Sequence, residues 1–160
     1  MPDDKRRLKV LFLCTGNSCR SQMAEGWARK LKADAIDAYS AGVEPHGMNQ
    51  RAVRVMAETG VDISRHHSKH VDELTKAGHQ FDYVVTVCDH AHQACPIFPG
   101  VTKVLHVGFD DPPALAKWSD TEEEALAHYR RVRDEIRAFV EKLPAAFETK
   151  LKTQGANHGR

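Results

Sequence analysis

A cysteine and an arginine stand six positions apart near the start of the chain, separated by small or polar residues. A loop of this kind, leading into a helix, can turn its backbone N–H groups inward and cradle an anion. Arg20 could then hold two anion oxygens in a fork, and the same positive field would lower the pKa of Cys14 and keep it as thiolate. The segment therefore predicts a nucleophile, Cys14, facing a tetrahedral oxyanion held by Thr15, Gly16, Asn17, Ser18, Cys19, Arg20 and Ser21. The simpler interpretation is a buried cysteine that ends a strand before an ordinary turn.

Two further cysteines, Cys88 and Cys95, stand seven positions apart. In a helix, such residues lie on one face but about 10 Å apart along the axis. A disulfide needs Cα atoms within about 7 Å, so a bond between them would require the segment to unwind, as a redox switch does. Two alternatives remain, namely two unrelated cysteines and a zinc site of Cys88, His90, His92 and Cys95, although that spacing is not usual for zinc. The cluster of His66, His67 and His70 is assigned no role.

An aspartate pair precedes Pro112 after a candidate strand. A carboxyl at the mouth of a site could act as a general acid for a leaving oxygen. Asp-Pro is also common in turns and before helices. From the residues alone, Asp111 and Asp110 are therefore candidates for such an acid, and a turn or helix cap is an equally good interpretation.

Predicted strands and helices alternate along the chain, and they must position these residues. Apolar runs predict strands over 8–14, 37–41, 83–88 and 102–107. Apolar residues at helical spacing predict a first helix from Arg20. Asn49 caps a second helix, which Gly60 ends. Thr121 and Glu124 form a capping box for a long last helix. Its core stripe comprises Leu126, Tyr129, Val132, Ile136, Phe139 and Leu143. This alternation predicts an α/β three-layer sandwich, with a central four-stranded parallel sheet flanked by helices and a site at the carboxyl ends of its strands.

Length and charge narrow the functional classes. The chain has 160 residues, which suits one domain, and its net charge of +1 does not favour nucleic acid or membrane partners. We expect an extension over 1–7, a single catalytic domain over 8–148 and a mobile tail over 149–160. The short apolar run after the basic start is not a signal peptide, and clustered cysteines suit a reducing compartment. A cytoplasmic monomer is expected.

The chain resembles the low-molecular-weight protein tyrosine phosphatase superfamily, and within it the thioredoxin-coupled arsenate reductase branch. The resemblance runs in order from about Val10 to Phe139. Its motifs are Thr15–Gly26, Tyr39–Gly42, Val85–Cys88 and Gly108–Pro112.

The resemblance implies a role for each cysteine. Cys14 would attack arsenate, and Asp111, with Asp110 as its alternative, would protonate the departing hydroxyl. Cys88 would then attack the Cys14 sulfur to release arsenite, and Cys95 would move the disulfide to Cys88–Cys95. Thioredoxin would reduce that disulfide as an external reductant, with no tightly bound cofactor. Cys19 is expected to be dispensable.

The alternative function is phosphomonoester hydrolysis. Tyrosine phosphatases of this superfamily carry an aromatic residue after Asp-Pro, where this chain has Pro113, and often a tryptophan within the segment that corresponds to 43–47, which here has none. Some related reductases also bind potassium through residues that match Asn17, Glu25 and Ser40. The fourth, acidic position falls near Lys69, which argues against a metal site.

Overall fold

The centre of the molecule is a four-stranded parallel sheet. The computed structural model describes residues 6–88, 95, 98 and 101–158. The sheet order is β2-β1-β3-β4; its strands are β1 (Leu8–Cys14), β2 (Ile36–Gly42), β3 (Tyr83–Thr86) and β4 (Lys103–His106). Residues Val10 to Leu13 of the inner strand β1 are fully buried, as expected for a strand covered on both faces. The predicted fold class is confirmed.

Six helices flank the sheet within the described residues, and two of them are capped as predicted. They are α1 (Arg20–Leu31), α2 (Gln50–Ala57), α3 (Val71–Lys76), α4 (Pro112–Ala116), α5 (Glu122–Glu141) and α6 (Ala145–His158). Asn49 accepts a hydrogen bond from the amide of Ala52 and so caps α2. Thr121 accepts one from the amide of Glu124 and caps α5. The Glu124 carboxylate reaches the Asp120 amide instead of that of Thr121, so the capping box is shifted by one residue.

Helix α5 packs against α1, which lies on strands β1 and β2. All six residues of its predicted stripe are buried. Trp27 of α1 is also buried and donates from its indole nitrogen to the backbone oxygen of Arg133, 3.1 Å away. This contact fixes α1 against α5, and therefore fixes the end of the loop that enters α1.

The sequence analysis expects α5 to be the last helix, but the chain continues into another one. Helix α6 follows Pro144 and runs through most of the segment interpreted as a tail. Its anchor is Phe147, which is fully buried and stacks on Tyr83 at 4.1 Å between ring centroids. The helices α3 and α4 are also absent from the sequence interpretation, because five or six residues are too few to establish a helical period. No helix within the described residues combines the length and apolarity needed to cross a bilayer.

The strand order brings the chemical residues together. Cys14 is the last residue of β1, and its neighbour β3 leads directly into Cys88. The amide of Val87 bonds to the oxygen of Leu13, and the amide of Phe109 bonds to the oxygen of Val87. The segments that follow β1, β3 and β4 therefore meet at one edge of the sheet, where ligands bind in such folds.

Candidate active site

The loop after Cys14 is held from outside by the segment that follows β2. The amides of Glu44, His46 and Asn49 donate to the backbone oxygens of Thr15, Gly16 and Ser18 at 2.8, 2.9 and 3.0 Å. In a trans peptide the N–H points away from its carbonyl. Since three loop carbonyls face this outer segment, the amides that follow them face the opposite way, into the loop. The predicted anion cradle therefore has a structural cause.

Asn17 sets the turn of the loop. It is fully buried and has a φ of +49°, in the left-handed region that asparagine tolerates better than most residues. Its side-chain amide donates to Ser21 Oγ and Ser40 Oγ at 2.9 and 3.0 Å. Its side-chain oxygen accepts from Gln22 Nε2 and from the amide of Lys69, both at 3.0 Å. These four hydrogen bonds hold a conformation that the backbone alone would not favour.

Gly42 allows the loop to approach the end of β2. A Cβ atom at this position would lie 2.6 Å from the oxygen of Thr15 and 2.9 Å from the amide nitrogen of Asn17. Both contacts are to backbone, which cannot move without displacing the loop. A glycine is therefore required here by packing.

Arg20 lies at the first position of α1 and points into the site. Its Nη1 donates to the oxygen of Phe109 at 2.8 Å, and its Nη2 lies 3.6 Å from Asp111 Oδ1. Its Nε is buried and has no hydrogen-bond partner among the described residues. A buried unsatisfied donor is costly, and an oxyanion in the cradle would supply the missing acceptor.

A cavity of about 620 Å³ opens above the loop. It is lined by Cys14, Arg20, His46, Asp111 and Pro113 among others. A second depression, of about 520 Å³, shares Thr15, Arg20 and Asp111 with the first and adds Cys88 and Asp110. The structure thus brings the loop, Cys88 and both candidate aspartates to a single site.

Cys88 lies close enough to Cys14 within this site to alter its pKa. The Cys88 side chain and burial raise the pKa of Cys14 well above its usual value, while the charge of Arg20 and the Thr15 amide oppose the rise. Arg20 and the Thr15 amide thus lower the pKa of Cys14 as predicted, but the expectation of a lowered net pKa is wrong, because Cys88 and burial outweigh them. That expectation considered only the loop's own field and omitted a second buried thiol from the neighbouring strand.

We predict that Cys88→Ala makes Cys14 react with iodoacetamide at lower pH than in the wild type. The substitution removes the largest cause of the raised pKa and leaves the lowering effect of Arg20. The measurement is the pH profile of Cys14 alkylation, followed by peptide mass spectrometry. Cys95→Ala is the matched control and should keep the wild-type profile. If all three profiles coincide, Cys88 does not control the protonation of Cys14.

The remaining cysteines differ in environment. Cys88 lies 3.1 Å from the hydroxyl of Thr15, a contact that sequence analysis did not identify, because it depends on the pairing of β1 with β3. Burial raises the pKa of Cys19 to about 12, which keeps this thiol protonated. Cys95 is half-buried and packs against the core. Residues 89–94, whose unwinding the relay would need, lie outside the described residues.

The two aspartates have different partners. Asp110 Oδ2 forms an ion pair with Arg131 of α5 at 3.1 Å. Asp111 lines the cavity beside Arg20, and although it precedes α4, its side chain makes no capping hydrogen bond. The carboxyl of Asp111 is therefore available to a ligand in the cavity, whereas that of Asp110 is engaged in fixing the loop to α5.

Asp111→Asn should slow the first chemical step by about two orders of magnitude or more, the usual effect of losing a general acid. Asp110→Asn, which removes the ion pair but not the carboxyl in the cavity, should slow it much less. Single-turnover kinetics of the two variants would measure this step directly. Equal effects would mean that both aspartates only shape the loop.

Among residues 6–88, 95, 98 and 101–158, no group of three or more His, Cys, Asp or Glu side chains is placed to hold a metal. His90 and His92 of the alternative zinc site lie outside these residues. The oxygen-bearing side chains of Asn17, Ser40 and Glu25 do come together and are joined by hydrogen bonds.

Comparison with known proteins identifies the family. The family model of low molecular weight phosphotyrosine protein phosphatases matches residues 9–155. The chain belongs to this family. Its arsenate reductase relative in Halalkalibacterium halodurans is 54% identical over 129 residues, which cover 79% of this chain and 88% of that protein.

Two solved structures of the low molecular weight phosphatase fold are equally similar in sequence. One is an arsenate reductase in a phosphate-binding state, with 29% identity, a TM-score of 0.65 and coverage of 87% of this chain and 98% of the other. The other is a low molecular weight protein tyrosine phosphatase from T. tengcongensis, with 29% identity, a TM-score of 0.64 and coverage of 85% and 97%. The family therefore includes both arsenate reductases and phosphatases. The positions of the cysteines must indicate which of the two reactions this chain catalyses.

Proposed function

We propose that this protein is an arsenate reductase that converts arsenate to arsenite. The observation that carries the proposal is the position of Cys88 in the oxyanion site, where its sulfur lies 3.1 Å from the hydroxyl of Thr15, the residue next to Cys14. Hydrolysis of a phosphate ester needs one thiolate, whereas reduction needs a second sulfur within reach of the first. Relatives named arsenate reductase, at about half identity over most of the chain, support the same function.

In the first step, the Cys14 thiolate attacks arsenic and forms a sulfur–arsenic bond. The departing oxygen leaves as water after taking a proton from Asp111. Arg20 holds two of the remaining oxygens, and its buried Nε gains the acceptor it lacks. An incoming anion also competes with Cys88 for the position in front of Cys14.

In the second step, the Cys88 thiolate attacks the Cys14 sulfur. A disulfide forms, and the electron pair of the sulfur–arsenic bond stays on arsenic, which is thereby reduced from As(V) to As(III). The hydroxyl of Thr15, 3.1 Å from Cys88 Sγ, is placed to donate to this thiolate and orient it. Asp111 and Thr15 thus act in different steps.

In the third step, the Cys95 thiolate attacks the Cys88 sulfur and releases Cys14 for another turnover. The resulting Cys88–Cys95 disulfide is then reduced by thioredoxin. Burial raises the pKa of Cys95, so this thiol must lose its proton before it attacks. Such a thiol relay needs a reducing compartment, which supports a cytoplasmic location.

The second candidate function is weak hydrolysis of aryl phosphates at the same site. The cradle recognises a tetrahedral oxyanion and discriminates little between arsenic and phosphorus. Pro113 lines the cavity where an aromatic ring would sandwich a phosphotyrosine. We therefore expect phosphatase turnover to be much slower on protein phosphotyrosine than in a dedicated phosphatase.

The test of the proposed function is arsenate-dependent oxidation of NADPH. The protein is assayed with thioredoxin and thioredoxin reductase, and in parallel with glutathione, glutaredoxin and glutathione reductase. We expect turnover only with the thioredoxin system. Activity only with the glutaredoxin system would mean that glutaredoxin, and not thioredoxin, is the reductant. Inactivity with both systems would refute arsenate reduction as the function.

A further inference from the structure

A chain of buried polar side chains supports the oxyanion loop from behind. Asn17 Nδ2 donates to Ser40 Oγ at 3.0 Å, and Ser40 Oγ donates to Glu25 Oε1 at 2.5 Å. The other carboxylate oxygen, Oε2, lies 2.6 Å from Arg29 Nη2. Four side chains thus connect the turn of the loop to the surface of α1.

Glu25 requires a positive partner at this place. Its side chain is only 5% exposed, and a buried carboxylate without a counter-charge costs several kcal/mol. Arg29, one turn further along α1, is 56% exposed and reaches inward to supply that charge. Its Nη2 also donates to the backbone oxygen of Ala38 at 3.4 Å, which ties it to β2.

The direction of the hydrogen bonds follows from the single proton of Ser40. A serine hydroxyl has one donor, and in this site Glu25 receives it. Towards Asn17, Ser40 can therefore only accept, so the Asn17 amide must present its NH₂ group to Ser40 and its oxygen to the amide of Lys69. Arg29 keeps Glu25 charged, and Glu25 in turn sets the orientation of the Asn17 amide through Ser40.

A bound monovalent cation does not fit these residues. Both oxygens of Glu25 and the side-chain oxygen of Asn17 already accept hydrogen bonds or an ion pair from protein groups. Lys69 lies close enough for Glu25 to influence its pKa, which burial lowers. A cation entering here would displace Arg29 and meet the ammonium of Lys69.

We propose that Arg29 is a positioning residue that holds the oxyanion loop in its binding shape through Glu25, Ser40 and Asn17, as a built-in cation. Without the guanidinium, the Glu25 carboxylate is left buried and unpaired. It then moves toward solvent or takes up a proton. Either change releases Ser40 from its donor role, and Asn17 loses one of the four hydrogen bonds that hold its side chain. Oxyanion affinity falls as a result.

This inference deepens the proposed function, since it concerns the same loop, but its test requires only that the loop bind phosphate. Binding of inorganic phosphate is measured by isothermal titration calorimetry for the wild type, Arg29→Ala, Arg29→Lys and Lys30→Ala. Lys30 is the matched control, because it neighbours Arg29 on α1, is exposed and carries the same charge. Each titration is repeated at equal ionic strength with methylguanidinium chloride or choline chloride.

We expect Arg29→Ala to bind phosphate about 10-fold more weakly, the lower range for loss of an outer-shell partner. Methylguanidinium should restore most of this affinity, while choline should not. The wild type, Arg29→Lys and Lys30→Ala should bind alike in both salts. Rescue by the small cation is the outcome that a purely structural role would not produce. Wild-type affinity in Arg29→Ala, or a loss that methylguanidinium leaves unchanged, would overturn the proposal.

Ser40→Ala provides an independent variant if Arg29→Ala does not fold. It keeps the Glu25–Arg29 ion pair but breaks its connection to Asn17, so phosphate binding should weaken by a similar factor that methylguanidinium cannot restore. Unchanged affinity in Ser40→Ala would also overturn the proposal. Failure of the wild type to bind phosphate would instead refute the oxyanion loop, and with it the proposed function.

Discussion

Cys14→Ser should abolish arsenate reduction and aryl phosphate hydrolysis together. Both reactions begin with attack by the same sulfur, and a serine hydroxyl lacks an adjacent base to activate it. Removal of a nucleophile from other covalent enzymes lowers kcat by about 10⁴- to 10⁶-fold, so both activities should fall to background. The measurements are thioredoxin-coupled NADPH oxidation with arsenate and release of p-nitrophenol from its phosphate ester.

The matched control is Cys19→Ser, within the same loop. Cys19 is buried, its pKa is raised to about 12, and it takes part in neither reaction, so this variant should keep both activities. Phosphate binding by Cys14→Ser should also persist, because the backbone amides and Arg20 remain, which shows that the loop is intact. Retention of either activity in Cys14→Ser would remove this residue from its proposed role.

Much of the fold could be predicted because its signals are local. The run of apolar residues in β1 and the helical spacing of α1 extend over seven and twelve residues, which is enough to establish a period. The capping residues Asn49 and Thr121 carry their own start signals. In contrast, α6 depends on one buried ring, that of Phe147 against Tyr83, and no local pattern reveals such a contact.

The site was less predictable wherever distant segments meet. The loop residues follow one another in the sequence, so the cradle could be inferred from their types alone. The raised pKa of Cys14 comes from Cys88, which approaches through the pairing of β1 with β3. Arg29 and Glu25 look like an ordinary surface pair one helical turn apart, and only the burial of Glu25 gives the pair its importance.

The two remaining cysteines should separate reduction from hydrolysis. Cys88→Ser and Cys95→Ser should each stop multiple turnover with arsenate, while p-nitrophenyl phosphate hydrolysis stays largely intact. Hydrolysis regenerates the Cys14 thiolate with water. Reduction leaves sulfur oxidised, and each missing thiol breaks the relay at a different step.

Mass spectrometry of peptides from arsenate-treated protein distinguishes these steps. Cys88→Ser should fail before any internal disulfide forms, since no sulfur attacks Cys14. Cys95→Ser should release one arsenite per molecule and stall with Cys14 joined to Cys88. The wild type without reductant should accumulate the Cys88–Cys95 disulfide, whose formation requires the two Cα atoms to lie within about 7 Å of each other. If both serine variants turn over arsenate at the normal rate with thioredoxin, the relay is wrong, and Cys14 acts without a second sulfur, as in a phosphatase.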